Sequence, residues 1–338
     1  MRSLFLIFVQ YLYTEREFER AATRNICLQF YDHYHTKMRD DPRHIPVLLN
    51  TVFEILAPKT GETVLDVTLG LGGHAHEFLQ AIGEQGRFIA FETDKENLRY
   101  AREHLKDACA RVELFHVNFR DGLLQTLPPI DILFADLGLS SPHIDDPSRG
   151  FSFRYDGPLD LRFDRSQGET AMQWIARVTD EEVADVLWKY GEVRSSRRLA
   201  AAIKERLPKT TGDLRQCTEA VFGFRASSLL PQVFQAFRIA INDELGALEV
   251  LLSKGPELLS PYGRMGIISY HSLEDRMVKQ KFRALSSSPK DPLTGAALHP
   301  AAFELLTKRP LVPSPQECES NPRSRSAKFR VIRRNILV

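Results

Sequence analysis

The stretch DVTLGLGGHAHEF, from Asp66 to Phe78, joins two segments of different hydrophobic pattern. The segment that leads into it, Thr63 to Leu69, is apolar and rich in β-branched residues, which predicts a buried strand. The segment that follows has the spacing of a helix, and three glycines stand between the two. The stretch therefore predicts a strand, a tight turn and a helix, and the first backbone N–H groups of such a helix hold small ligands.

Strand and helix patterns alternate after this turn. Further strands are predicted at Gly86 to Asp94, Arg111 to Phe119 and Ile130 to Gly138, and a second helix begins at Lys95. Alternation of this kind is typical of a parallel sheet with helices on both faces, in which ligands lie outside the carboxyl ends of the strands. The predicted fold class is therefore α/β, with a Rossmann-like sheet.

The alternation stops in the middle of the chain. Residues 140–165 are rich in Gly, Pro, Ser and Asp, and residues 170–244 have only helical patterns. Strand character returns at Gly263 to Ser272, before a further helix and two last strands near residues 303–311 and 327–335.

These patterns predict the domain organisation. We expect residues 43–143 and 245–338 to form the sheet domain. Residues 144–244 are then an all-helical insertion, whose length is that of a small domain. We expect this insertion to bind the substrate.

The composition is that of a globular protein. The chain has 338 residues, of which 43% are hydrophobic and 26% charged, so a disordered or collagen-like chain is excluded. The net charge is +1, so any surface for nucleic acid must be a local basic patch. The four cysteines lack the spacing of a zinc site or a disulfide framework, which predicts free thiols and a cytoplasmic protein.

The first residues are unusual. The segment MRSLFLIFVQYLY is apolar but too short to span a bilayer, and no small-residue cleavage site follows it. No later segment is long enough either, so we expect no membrane association. We expect residues 1–42 to be an N-terminal extension that is disordered or not native, with translation starting at Met38.

The glycine turn fits a dinucleotide-binding pattern. Gly70 to Ala75 matches G-x-G-x-x-G/A, and Glu92 lies about twenty residues further on, where an acid binds ribose hydroxyls. Gly72, Gly73 and His74 are the expected backbone contacts. The pattern fits a nicotinamide-dependent oxidoreductase as well as any other nucleoside-binding sheet, so both remain open here.

The end of the fourth predicted strand favours a different chemistry. The sequence ADLGLSSPH, Ala135 to His143, places Asp136 before a glycine, two serines and a proline. A carboxylate there can accept an N–H from a planar amine, and a stiff turn can aim a backbone carbonyl. A plain turn with a serine cap is the simpler interpretation.

Several separated motifs then occur together in one order. They are RHIPVLL, DVTLGLGGH, DLGLSSP, RGFSFRYDGPLDLRFD, SYHSLEDR and NPRSRS. From Arg43 to its end the chain thus resembles the bacterial RsmH (MraW) family. The resemblance implies a class I S-adenosylmethionine-dependent methyltransferase sheet with an inserted helical domain. It also implies N4-methylation of one cytidine in the 16S rRNA of the small ribosomal subunit.

The resemblance extends the site to further residues. It implies that Glu92 accepts the ribose hydroxyls, with Asp94 as a competitor for that role. It implies that Phe119 packs against adenine. His143 stands where the family commonly has Gln, and it is expected to contact the cofactor.

The resemblance also gives Asp136 and Asp66 their roles. It places Asp136 beside the sulfonium of the cofactor. We expect Asp136 to be the catalytic residue, in the sense that it orients the amine rather than acting as a strong base. Asp66, at the end of the first strand, is expected to face the methionine ammonium.

Other polar residues carry weaker signals. His74 and His76 form an H-x-H pair, but that spacing does not suit a helix, so we predict no metal. His271 in SYHSLEDR either lines the acceptor pocket or belongs to a helix start with Ser272 and Asp275, and both readings stay open.

Basic residues predict an RNA surface. Between Tyr190 and Arg215 seven Lys or Arg stand against three acids, and RGFSFRY adds aromatic residues.

The alternatives to an rRNA methyltransferase are a nicotinamide-dependent oxidoreductase, a DNA amino-methyltransferase and a non-catalytic RNA-binding factor. A homodimer also remains possible at this stage.

Overall fold

The computed structural model describes residues 46–288, 290–291, 294 and 297–336, so the predicted extension, residues 1–42, lies outside the described residues. The described chain contains one sheet of seven strands. They are β1 (Thr63–Asp66), β2 (Arg87–Glu92), β3 (Arg111–His116), β4 (Ile130–Asp136), β5 (Leu259–Ser269), β6 (Phe303–Leu305) and β7 (Lys328–Arg334).

The strand order is β3-β2-β1-β4-β5-β7-β6. Strands β1 to β5 pair in parallel, with Val64 opposite both Phe88 and Ile132. Strand β7 runs antiparallel to β5 and β6, so the sheet is mixed rather than wholly parallel. The order reverses between β1 and β4, and a crevice at such a switch point is where ligands bind in open α/β sheets.

Helices cover both faces of this sheet. They are α1 (Leu49–Leu56), α2 (Gly73–Ile82), α3 (Lys95–His104), α4 (Phe119–Gly122), α5 (Ser141–Asp145), α11 (Glu244–Leu258), α12 (Ser272–Leu285) and α13 (Pro315–Ser320). One core, which includes Phe78, Phe88 and Phe134, packs α1 and α2 onto the sheet. A second core, which includes Leu251 and Phe282, packs α11 and α12 onto the opposite face.

A separate group of helices follows α5. They are α6 (Ala171–Arg177), α7 (Asp180–Gly191), α8 (Ser196–Arg206), α9 (Thr211–Phe222) and α10 (Ala226–Asn242). Capping boxes at Thr170, Thr179 and Thr210 start three of them. These helices enclose a hydrophobic core of their own, which includes Leu187 and Phe237.

The structure corrects the predicted secondary structure in several places. Strand β5 begins at Leu259 rather than Gly263 and ends at Ser269, and β6 covers only Phe303–Leu305 of the predicted residues 303–311. Strand β3 ends at His116 because Asn118 caps the short helix that begins at Phe119. Helix α11 follows the predicted helices without a clear sequence signal, since Gly246, Gly255 and Pro256 interrupt its pattern. Those small residues allow close packing, and a methyl group on Gly255 would come within 2.9 Å of Met265.

Two further predictions concern membranes and thiols. Within the described residues, no helix has the length and apolar character needed to cross a membrane. Of the cysteines of this part, Cys217 and Cys318 are free thiols, as predicted.

Candidate active site

The glycine turn between β1 and α2 has the conformation that the sequence predicts. Gly72 is the N-terminal cap of α2 with φ +89°, a left-handed conformation that favours glycine. The first N–H groups of a helix have no partner within it, so those of α2 point toward the carboxyl edge of the sheet, where the parallel strands end. This turn can bind a carboxylate.

Glu92 lies at the end of β2 and supports the turn. Its Oε2 accepts the backbone N–H of Gly70 at 2.6 Å, and its Oε1 accepts that of Asp94 at 2.7 Å. Burial raises the pKa of Glu92 to about 8, although both hydrogen bonds act against the shift. The sequence anticipated an acid here, but not its hydrogen bond to the glycine turn.

Asp66 and Thr68 join the ends of β1 and β4. The Thr68 backbone N–H donates to Asp66 Oδ1 at 2.9 Å, and the Thr68 hydroxyl oxygen accepts the backbone N–H of Asp136 at 2.6 Å. Burial raises the pKa of Asp66 to about 7, and the charge of Asp136 adds to this effect. Sequence reasoning missed Thr68, although an Asp followed two residues later by Thr is a common local turn.

Asp136 stands at the switch point. Its Oδ1 is buried and accepts no hydrogen bond from the described residues. Burial raises the pKa of Asp136 to about 6, while hydrogen bonds from the Tyr270 hydroxyl and the Gly138 backbone N–H oppose the shift. A buried oxygen with no donor is costly, which indicates that a ligand supplies one.

Tyr270 forms one wall beside Asp136. The ring lies so close to Gly138 that a methyl group there would come within 2.7 Å of Tyr270 Cε2. Burial raises the pKa of Tyr270 well above its usual value, and the neighbouring Asp136 adds to the shift. The hydroxyl therefore stays protonated and donates to Asp136. From sequence alone, Tyr270 was only an aromatic residue of the SYHSLEDR motif.

The side chain of His74 lies between Val47 and Asp136. Its Nε2 lies 3.0 Å from the Val47 carbonyl oxygen, and its Nδ1 lies 4.0 Å from Asp136 Oδ2. The ring packs against Phe134 at 4.8 Å between centroids. The predicted contact of His74 with the cofactor is therefore best assigned to its backbone.

Asp94 and His143 belong to a buried polar network. Asp94 Oδ2 accepts from His143 Nε2 at 2.8 Å and from an Arg149 guanidinium nitrogen at 2.5 Å. Although burial opposes it, the bond from His143 and the charge of Arg149 lower the pKa of Asp94. Asp94 also caps α3 through Glu96 and Asn97. Both Asp94 and Glu92 accept hydrogen bonds from the protein, so the assignment of the ribose hydroxyls to Glu92 stays a prediction.

His143 has partners on both ring nitrogens. Its Nδ1 lies 3.0 Å from the Ser140 hydroxyl, and its ring packs against both Phe151 and Phe163. Burial lowers the pKa of His143, so the ring is neutral. The described contacts do not favour His143 as a side-chain ligand of the cofactor, and its predicted contact remains a prediction. They make it a link between the Ser-Ser-Pro turn and the segment that leads to the helical insertion.

Phe119 lies at the same edge, just beyond β3. It begins α4 and is half-buried against the core under the sheet. One part of the ring therefore remains accessible. This placement is compatible with packing against a flat ring, and that contact stays a prediction.

His271 is the cap of α12. Its Nδ1 accepts the Glu274 backbone N–H, while Glu274 accepts from the backbone of Tyr270 and His271. The helix-start interpretation is thus confirmed, but the cap is His271 rather than Ser272. The partner is Glu274, because Asp275 binds Arg330 instead.

A possible cation site adjoins this cap. Ligand atoms of Glu244, His271 and Glu274 lie within 4.8 Å of one another. Arg238 already forms two hydrogen bonds with Glu244, at 2.8 and 3.0 Å, so this cluster contains its own cation. The predicted absence of a metal remains a prediction.

The edge fits a nucleoside that carries positive charge. The left-handed Gly72 lets a ligand approach the backbone, and three carboxylates surround the switch point: Asp66, Glu92 and Asp136. Such a set suits S-adenosylmethionine, which has a carboxylate for the helix N-terminus and a sulfonium and an ammonium for the acids. Its binding would neutralise charge that burial otherwise disfavours.

Comparisons with known proteins agree with this site. Residues 41–335 match the MraW methylase family. The chain is 42% identical over 303 residues to "Ribosomal RNA small subunit methyltransferase H" of Sorangium cellulosum, covering 86% of this chain and 91% of that protein. The protein of the same name from Thermomicrobium roseum is 41% identical over 305 residues, covering 86% and 93%.

A third relative gives the same result. The protein of that name from Acinetobacter baumannii strain SDF is 40% identical over 300 residues, covering 86% of this chain and 97% of its own. The match extends across the sheet, the glycine turn and the helical insertion. The chain therefore belongs to the MraW methylase family, a family of S-adenosylmethionine-dependent methyltransferases.

Proposed function

We propose that this chain methylates the exocyclic N4 amine of a cytidine in the 16S rRNA of the small ribosomal subunit. The observation that carries the proposal is Asp136, whose buried Oδ1 lacks a hydrogen-bond donor at the switch point of the sheet. An amine N–H is the donor that this oxygen needs. The names of the relatives support small-subunit rRNA as the substrate.

The residues that would hold the cofactor lie around the glycine turn. The N–H groups that follow Gly72 are placed to bind its carboxylate, and Glu92 is placed for its ribose. Asp66 is buried near Asp136 and suits its ammonium. Bound S-adenosylmethionine supplies a methyl group on a positively charged sulfur, which a nitrogen nucleophile accepts.

Asp136 and the following turn orient the amine. The lone pair of a cytosine amine is delocalised into the ring, so the amine is a weak nucleophile. When Asp136 accepts one N–H, the nitrogen is held in one orientation, and its lone pair is directed along the line of transfer. Tyr270 fixes the carboxylate by donating to it, and the ring of Tyr270 against Gly138 fixes the turn.

Asp136 also suits the proton that the amine must lose. The pKa of Asp136 is raised to about 6, so the carboxylate is mostly ionised near neutral pH. Methylation turns the amine into a strongly acidic cation, which needs only a weak acceptor for its proton. Asp136 therefore first orients the amine. After methyl transfer it is basic enough to accept the proton.

The base must leave any stack in the RNA to reach this edge. The helical insertion adjoins the edge, because Arg149 near its start donates to Asp94 just beyond β2, and Asp164 lies 4.0 Å from His116 at the end of β3. Exposed arginines of the insertion, among them Arg197 and Arg198, suit RNA phosphates. The proposal includes a cytoplasmic location and a homodimer, with naked rRNA and the assembled subunit as the two candidate forms of the substrate.

Two measurements test the proposal and its alternatives. S-adenosylhomocysteine, but not NAD, should raise the melting temperature of the purified protein, which separates a methyltransferase from an oxidoreductase. Unmethylated small subunits, naked 16S rRNA and single-stranded DNA should then be compared as methyl acceptors. We expect N4-methylcytidine in the digested rRNA, and methylation of DNA alone would overturn the proposed substrate.

A further inference from the structure

The end of the helical insertion carries an exposed aromatic side chain. Phe224 lies in the 3-10 turn Gly223–Arg225 between α9 and α10, and 89% of its surface is accessible. The guanidinium carbon of Arg225 lies 5.6 Å from the centre of its ring. A large apolar side chain gains nothing from such exposure in the isolated protein, which points to a ligand that covers it.

The other residues at this end of the bundle are basic. Short connections join α7 to α8, α8 to α9 and α9 to α10, and helices joined in this way are antiparallel neighbours. The loop at residues 192–195 and the turn that carries Phe224 therefore lie at the same end. Arg194 of the loop, Arg225 of the turn, and Arg197 and Arg198 in the first turn of α8 are exposed.

Helix α10 projects beyond the end of α7. Gly191 packs against the Gln232 carbonyl, and Gln235 donates to the Tyr190 carbonyl at 3.0 Å. Helix α10 begins six residues before Gln232, at Ala226, which is about 9 Å further out. The turn with Phe224 is thus a raised tip rather than part of a flat helix face.

The acids near this tip are engaged elsewhere. Glu192 lies 3.9 Å from Arg276 of α12, and Glu219 lies 3.8 Å from Arg215. Among the residues that the structure describes, no carboxylate forms an ion pair with the four arginines of this end. The tip therefore combines an accessible ring with uncompensated positive charge.

We propose that Phe224 stacks on an unpaired base of the small-subunit rRNA while Arg225 and the neighbouring arginines bind its phosphates. The proposal rests on the proposed rRNA substrate. Exposed aromatic rings beside arginines are the usual platform for unstacked bases, because every base has a flat face. The tip lies at the other end of α10 from Asn242, near the candidate site, so the stacked nucleotide is distinct from the one that is methylated.

The test uses the full-length enzyme and unmethylated small ribosomal subunits. Phe224→Ala should raise KM for the subunits by about 5- to 150-fold, the range expected for loss of one base–aromatic stack, with kcat little changed. Phe224→Trp should restore the wild-type KM. Arg225→Ala should weaken binding and make it less dependent on salt.

Tyr262→Ala is the matched control. Tyr262 is an exposed aromatic residue, 56% accessible, in the first half of β5 and so toward the opposite edge of the sheet. Its removal should leave KM for the subunits unchanged. Affinity for S-adenosylhomocysteine should be unchanged in every variant, which shows that the fold is intact.

Three results would show whether the tip binds the rRNA, separately from whether the enzyme methylates it. An unchanged KM and unchanged subunit binding for Phe224→Ala would overturn the proposal. A loss of self-association in sedimentation, without a change in subunit binding, would instead assign the tip to a second copy of the chain. The wild-type enzyme could bind subunits without methylating them, while Phe224→Ala binds subunits more weakly. That result would support the role of the tip and contradict the proposed reaction.

Discussion

Among single residues, Asp136 has the most direct part in the proposed reaction. Asp136→Ala should lower methyl transfer by about 10²- to 10³-fold at saturating cofactor and RNA, by analogy with removal of one preorganised hydrogen-bonding group. Binding of the small subunit should be unchanged, because Asp136 does not face phosphates. Single-turnover assays measure the first effect, and Asp145→Ala, an exposed acid of the next turn, is the control. Near-normal turnover of Asp136→Ala would show that the backbone turn alone aims the amine.

Gly72 tests the cofactor turn at the same scale. Its φ of +89° is unfavourable for a β-branched side chain, so Gly72→Val should shift the turn and abolish binding of S-adenosylhomocysteine. A methyl group at Gly72 would make only ordinary contacts with Leu105 and Ala101, so the fold should persist. Calorimetry measures the affinity and circular dichroism checks the fold. Full affinity in a folded variant would remove this turn from the site.

At the element scale, the buried network around Asp94 connects three segments. Arg149 donates to Asp94 and to the carbonyls of Arg162 and Phe163, which ties the end of β2 to the segment leading into the insertion. Arg149→Met should lower the free energy of unfolding by about 3–5 kcal/mol, because it leaves a buried carboxylate with one fewer cation. Arg154→Met, on an exposed arginine of the same segment, should change it by less than about 0.5 kcal/mol. Equal losses of unfolding free energy for Arg149→Met and Arg154→Met in denaturant titrations would contradict this role of Arg149.

The strand ends predict a pH dependence. The pKa values of Asp66, Glu92 and Asp136 are raised in the fold to about 7, 8 and 6. Protonation of these groups therefore stabilises the folded state at low pH, and that stability is lost as the pH rises from about 5 to 8. A cationic cofactor favours the ionised forms, so its binding releases protons in this range.

The expected result is a cofactor-induced rise in melting temperature that is larger at pH 7.5 than at pH 6. Calorimetry in two buffers of different ionisation enthalpy counts the released protons directly. Asp66→Asn should reduce that number. Proton uptake on binding would contradict the assignment of these carboxylates to the cofactor.

At the scale of the whole molecule, sequence patterns predicted most of the architecture for clear physical reasons. The strands and helices of the sheet follow from apolar periodicity, and the turn at Gly72 follows from its glycines. Helix α11 was not predicted, because Gly246 and Pro256 weaken the helical pattern of its sequence. Tertiary packing nevertheless stabilises this helix.

The site was predicted less completely than the fold. Residues that end strands, such as Asp66 and Asp136, could be placed because parallel strands end at one edge. The partners of Asp94 and His143 could not, because Arg149 is distant in sequence and its role depends on tertiary packing. Tyr270 was missed as a partner of Asp136 for the same reason.

The central claim is methylation of a cytidine amine through Asp136. The most direct measurement is mass spectrometry of nucleosides from 16S rRNA of cells that lack this gene and carry either the wild-type gene or the Asp136→Ala gene. The account predicts N4-methylated cytidine with the wild-type gene and its loss both without the gene and with the variant. An unchanged content of N4-methylated cytidine in cells that lack the gene would contradict it.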